Sequence, residues 1–178
     1  MTYLENIIAE FHKSKQLADS AIRQVSEEDL FAIISPESNS IAIIMKHLAG
    51  NMISRWTDFL TTDGEKPNRN RGSEFVIEKS DTKTRLLEFW EAGWKCLFDA
   101  LSPLTTDDLD KTVFIRGESH TVMQAINRQL SHYSYHVGQI VFLARYCAGA
   151  DWQTLSIPRG KSVQFNQAMK KGEMKSEK

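Results

Sequence analysis

The sequence predicts an all-α protein, a single domain built as a four-helix bundle with a small extended hairpin before the last helix. Three observations lead there. Four stretches, each of about 20 residues or more, carry apolar residues at the three- and four-residue spacing of an amphipathic helix. Capping residues (Ser, Thr, Asn, Asp) and helix breakers (Gly, Pro) punctuate the chain between them. Only one short segment, KTVFIRGESHTV at 111–122, reads as extended chain.

The first helix spans about 3–25, with Leu4, Ile7, Ile8, Phe11, Ala18, Ile22 and Val25 at helical spacing. Ser26 followed by Glu27, Glu28 and Asp29 reads as a cap with an acidic first turn, so a short helical turn follows. The segment Ser35-Pro36-Glu37-Ser38-Asn39 breaks the chain, and Asn39 or Ser40 caps the second long helix, expected to run to about Leu60. Residues 61–80 form the least helical stretch, with Gly64, Pro67, Gly72 and the basic Lys66, Arg69 and Arg71. They predict a long excursion that packs back through Phe75, Val76 and Ile77, and that is long enough to cross the bundle. Asp81 or Thr82 starts the third helix, through Leu86, Leu87, Trp90, Trp94, Leu97, Phe98 and Leu101, ending before Pro103. Thr105–Asp108 marks another local cap. Val113 and Ile115 flank a turn at Gly117, which predicts the hairpin. The last long helix follows from about Thr121 to Ala148, with Gly149 as its stop. Trp152, Leu155 and Ile157 anchor the tail. The domain is expected over 1–168, leaving 169–178 as a polar Lys-rich tail.

Composition narrows the function classes. Of 178 residues, 41% are hydrophobic and 25% charged, enough apolar material for one core. Lys plus Arg number 22 and Asp plus Glu 23, a net charge of −1. That balance gives no long-range attraction for nucleic acid or for an anionic membrane. No apolar run reaches the length of a membrane helix, and no secretory signal is visible. Cys96 and Cys147 sit among apolar neighbours and read as buried thiols in a reducing compartment. The expectation is a cytoplasmic protein with neither nucleic acid nor a membrane as partner.

The candidate chemistry lies in the segment SHYSYHVGQI. His132 and His136 stand four residues apart, about 1.1 helical turns, so their imidazoles stack on one face. That face also carries Gln129, Tyr133 and Ile140. In the second helix, His47 shares its side with Ile43, Ile44, Leu48, Gly50 and Asn51. If the two helices are neighbours, three imidazoles converge, a donor set suited to Zn, Ni, Fe or Cu. Three protein ligands leave one position for water or substrate, the pattern of a catalytic site. Spacing alone is equally met by histidines that are hydrogen-bonded boundary residues without a metal.

Asn51 and Gln139 are placed to orient a ligand or to pack. Arg55 and Arg128 are placed to meet an anion, such as the carboxylate of a thiol conjugate, or to stand in solvent. His12 lies in a polar setting. His120 in the hairpin offers a supporting group, a fourth ligand or a loop hydrogen bond. Neither Asp58 nor Glu118 is marked out as a general base. No acidic residue completes HExxH or a Ser–His–Asp set, and no Gly-rich phosphate loop is present.

MKHLAGN in the second helix, IRGESHTVMQAINRQLSHYSYHVGQI through the last, and WQTLSIPRGKSVQFN beyond it resemble the DinB-like superfamily of bacterial four-helix proteins. The resemblance covers nearly the whole chain and, in the tail, points to a branch of unsettled activity. It implies an up-down-down-up bundle with a divalent metal, Zn or Ni, held by His47, His132 and His136. It also implies a homodimer. Relatives include transferases and isomerases that use thiols such as mycothiol or bacillithiol. The resemblance therefore implies a metal-dependent thiol S-transferase with a low-molecular-weight thiol as cosubstrate. Metal-dependent hydrolysis, or a non-catalytic metal-binding stress-response role, are the alternatives.

Overall fold

The computed structural model describes residues 1–172, and it is mostly helical. Its helices are α1 (Tyr3–Ile22), α2 (Glu27–Phe31), α3 (Ile41–Trp56), α4 (Lys83–Leu101), α5 (Val122–Ala148) and α6 (Ser162–Lys171). A two-stranded antiparallel hairpin, β1 (Thr112–Ile115) and β2 (Glu118–Thr121), precedes α5.

Local chemistry fixes the helix starts. Thr2, Ser26, Ser40, Thr82 and Thr121 each accept a hydrogen bond from a first-turn backbone N–H, satisfying a donor the helix itself leaves open. At Thr2 and Thr121 the reciprocal bond from Glu5 and Gln124 completes a capping box. Of the two candidate caps for each middle helix, Ser40 and Thr82 are used. Asp81 instead accepts from Lys46 Nζ at 2.7 Å and from the Glu78 N–H, tying the excursion to α3.

Two helix ends differ from expectation. α3 stops at Trp56, not near Leu60, because Thr57 turns extended and Asp58 takes a positive φ of 47°. α1 stops at Ile22, one turn short of Val25, which nevertheless stays buried. A third difference is an added element. The tail forms α6, which runs through the boundary expected at 168, and the remainder of the expected tail, 173–178, lies outside the described residues.

α3 packs mainly on α4 and α5, and α1 packs on α5 and α4. At the α3–α4 crossing Gly93 meets α3 so closely that a Cβ there would stand 2.8 Å from Ala49 Cα. The core joins all four long helices through Phe11, Leu48, Met52, Trp56, Trp90, Trp94, Tyr133 and Ile140. α3 is buried nearly all round, as its run of apolar residues requires. Its buried polar residues His47, Asn51 and Arg55 recur every four positions, so they form one polar stripe down a helix otherwise embedded in the core. No helix among the described residues is long and apolar enough to cross a membrane.

The hairpin turns through Arg116 and Gly117, both at positive φ (56° and 76°), the conformation of a tight two-residue turn. Arginine is an unusual residue there. Asp63 holds it: its two carboxylate oxygens accept from the Arg116 N–H at 2.8 Å and the Gly117 N–H at 2.7 Å.

Candidate metal centre and its cavity

The three sequence-predicted histidines come together. α3 supplies His47 and α5 supplies His132 and His136, and their ligand nitrogens all lie within 4.8 Å of one another. The Nε2 atoms of His47 and His132 are 3.3 Å apart. Two ligands at zinc–nitrogen distances in a tetrahedron stand about 3.3–3.4 Å apart, so this pair has the spacing a metal needs.

Hydrogen bonds set the ring orientations. His47 Nδ1 lies 2.8 Å from Glu74 Oε2, and His136 Nδ1 lies 2.8 Å from Gln139 Oε1. Each oxygen accepts a hydrogen bond from Nδ1–H and leaves Nε2 with its lone pair turned inward. Burial, then His136 and His47, pushes the His132 imidazole down to about 3. Burial likewise lowers His136 to about 4, against the opposing Gln139 hydrogen bond. Both rings are therefore neutral at pH 7, the protonation state a metal ligand requires. Gathering neutral nitrogen lone pairs at one buried point is repulsive unless a proton or cation lies between them, and on this ground the residues fit a divalent metal.

Glu74 is the residue that sequence spacing does not reveal. It sits in a short 3₁₀ turn (Gly72–Phe75) within the 57–82 excursion, 5% exposed. Arg69 grips its carboxylate with both arms, Nε to Oε1 at 2.7 Å and Nη2 to Oε2 at 2.9 Å. Desolvation raises the Glu74 pKa, but the bonds from His47 and Arg69 outweigh it and hold the carboxyl below its usual range. Gly50 makes the approach possible, since a Cβ there would stand 2.6 Å from Glu74 Oε1. Phe75, the expected anchor of the excursion, packs on the His47 ring at 4.9 Å, while Val76 stays exposed.

Beside the histidines opens a cavity of about 470 Å³, lined by all three and by Asn51, Arg55, Phe75, Gln129 and Tyr135, among others. Asn51 Oδ1 accepts from the buried Tyr133 hydroxyl, which itself accepts from Trp56 Nε1–H, so Asn51 is fixed by the core behind it. Arg128 stands exposed at the rim, 3.8 Å from Glu118 and 3.3 Å from His120 Nε2. His120 makes a loop hydrogen-bond contact with the Glu118 carbonyl and lies outside the metal-ligating group. His12 is exposed and stacks on Phe98, and Asp58 lines a different groove. Cys96 and Cys147 are free and only partly buried.

No curated protein matches the chain. The family described as "Protein of unknown function (DUF1572)" matches residues 1–161, which take in every residue of this site. The chain therefore belongs to the DUF1572 family, and through it to the DinB-like superfamily.

Proposed function

We propose that the protein is a divalent-metal-dependent enzyme of small-molecule thiol chemistry, an S-transferase that uses a low-molecular-weight thiol such as mycothiol or bacillithiol. The observation that carries this reading is the convergence of three imidazoles, with two Nε2 lone pairs fixed inward, at the wall of a cavity large enough for a small substrate. His47, His132 and His136 would hold zinc or nickel. A cation there supplies positive charge that lowers the pKa of a coordinated thiol or water.

The chain's own residues do the rest. Glu74, locked by Arg69, orients the His47 ring with Nε2 toward the site, and Gln139 does the same for His136. Phe75 and Tyr135 supply aromatic surface to the cavity wall. In the transfer the thiol proton passes to water, the sulfur forms a C–S bond to an electrophilic carbon, and the leaving group departs with its bonding pair.

Thiol chemistry is favoured over hydrolysis by one feature of the lining. Among the described residues the cavity wall contains no carboxylate, and the nearest, Glu74, is already engaged by Arg69 and His47. A coordinated thiol is deprotonated outright by such a cation, whereas a coordinated water is brought only to a pKa near about 7 and its proton transfers normally draw on a nearby general base. We further assign the bundle the up-down-down-up order, supported by the long 57–82 connection between α3 and α4. A second copy of the chain is the expected partner. The exposed Tyr135, Phe142 and Tyr146 of α5 offer it a surface, and a sedimentation mass of 20.3 kDa would remove it.

The test is a screen of bacillithiol, mycothiol and simpler thiols against electrophiles, on untagged protein with and without Zn or Ni. The expected result is metal-dependent thiol consumption that is lost in a folded His47→Ala protein. Hydrolysis of the electrophile without thiol consumption would transfer the site to the hydrolase reading. Metal binding with large thermal stabilisation and no turnover would favour a structural, non-catalytic metal.

A further inference from the structure

The cavity beside the histidines is lined by five arginines, Arg55, Arg69, Arg71, Arg116 and Arg128, and by no acidic residue among those described. The carboxylates that partner them stand outside its lining and are shared thinly. Glu65 serves three guanidiniums, with Arg69 and Arg116 each at 3.2 Å and Arg55 only at 3.7 Å. Glu74 divides itself between Arg69 and His47. Asp63 is taken up by the hairpin backbone, and the exposed Glu118 stands 3.8 Å from Arg128, at the loose end of ion-pair distance. Arg71 has no carboxylate within ion-pair distance among the described residues and lies over the Phe75 ring at 5.0 Å.

Arg55 is the most telling. It is 4% exposed, yet its Nε and Nη1 have no hydrogen-bond partner. Gly64 closes over it, where a Cβ would stand 2.8 Å from Arg55 Cδ and 2.9 Å from Nη1. Gln129 Oε1, also on the cavity wall, is likewise buried without a donor. Unanswered donors on a buried cation are costly, and a bound anion or an ordered water is what supplies the missing acceptor. The strained backbone at Arg116, held by Asp63, brings a further guanidinium to the same cavity.

We infer that this cavity is an anion-recognition site, built to take a small molecule carrying at least two carboxylate or phosphate groups, with Arg71 and Arg128 engaging it at the rim and Arg55 at the base. Planar guanidiniums match both oxyanions in pairs of parallel hydrogen bonds, and the arrangement places the anionic end of a substrate next to the three histidines. The inference deepens the thiol-transfer reading by naming the substrate class, and it rests on that reading only for which molecule carries the anionic groups.

The test uses calorimetric titration with defined probes. Mercaptosuccinate (a thiol with two carboxylates) and neutral 2-mercaptoethanol are titrated into Co(II)-loaded protein, and succinate and inorganic phosphate into metal-free protein. Mercaptosuccinate should bind at least about tenfold more tightly than 2-mercaptoethanol, the return on one charge-assisted contact. The Arg71→Gln/Arg128→Gln double variant, altered only at exposed side chains, should lose most of that preference while binding 2-mercaptoethanol unchanged. Equal affinity for the two thiols, or a preference that survives the double variant, would overturn the inference. If the protein takes up no Co(II), the metal reading fails instead. In that case succinate or phosphate binding that weakens in the double variant sustains the anion site, and no measurable binding of either ends it. Which of the two binds more tightly distinguishes a carboxylate from a phosphate substrate.

Discussion

Gly50→Ala isolates the support behind His47 without touching a ligand. In an ordinary helix interior the change stabilises by about 1 kcal/mol, because glycine loses more backbone freedom on folding. Here the new methyl would stand 2.6 Å from Glu74 Oε1, 3.0 Å from Cδ and 3.3 Å from Cγ. Glu74 has little freedom to yield, since Arg69 holds both oxygens and His47 one of them. Displacing the carboxylate breaks at least one buried, charge-assisted hydrogen bond, worth about 1.5–3 kcal/mol. The net expectation is a loss of about 0.5–2 kcal/mol, or a Tm lower by about 1–8 °C for a chain of this size. Loss of the His47–carboxylate bond should also weaken zinc by about 10–100-fold. Thermal melts of metal-free protein and a competitive zinc titration read the two effects separately. Gly138→Ala on α5 is the control, because a Cβ there meets nothing within 4 Å. It should stabilise by about 0.5–1 kcal/mol and leave zinc affinity alone. A Gly50→Ala protein that melts higher than the parent and binds zinc equally would refute the reasoning.

Other perturbations bear on the same frame. Tyr133→Phe removes the hydroxyl that links Trp56 Nε1–H to Asn51, leaving a buried donor unanswered; chemical denaturation should show a loss of about 1–3 kcal/mol with metal stoichiometry unchanged. Gly93→Ala should cost about 1–3 kcal/mol by the same measurement, since its methyl meets backbone of α3 and not a movable side-chain tip. Metal-free protein should lose stability steadily as pH falls from about 6.5 toward 4, because His132 and His136 stay neutral when folded (about 3 and 4) while the unfolded chain takes up protons near 6.5. Carboxylates such as Glu74 and Asp108 add their own loss only below about 4.5, so melts between pH 6.5 and 5 report the histidines, and His132→Gln should flatten that slope.

Much of this was legible in the chain, for reasons that differ from residue to residue. The long helices announced themselves because their apolar residues recur at helical spacing and each begins on a Ser or Thr that answers an open backbone donor. The hairpin was legible from Val113, Ile115 and Gly117, although the need for Arg116 at positive φ was not, because Asp63 enforces it from 53 residues away. His132 and His136 were legible as a pair from their four-residue spacing, and His47 as a partner only if α3 and α5 touch. Glu74 was not legible. It lies in a segment without period, and its role comes from a contact across 27 residues that depends on a missing side chain at Gly50. The arginines of the cavity were hidden for the same reason: Arg69, Arg71 and Arg116 come from two loops that meet only in three dimensions. The helix α6 escaped because its mean hydropathy is low and its short apolar face, Phe165, Ala168 and Met169, is only half-buried.

The most direct test is the metal content of the untagged protein, measured by mass spectrometry after exposure to Zn and Ni and removal of loosely bound ions. One divalent ion per chain in the parent, and none in His47→Ala, is the predicted result. A parent protein that retains no ion, or a His47→Ala protein that still holds one, would contradict the convergence of the three imidazoles on a common metal.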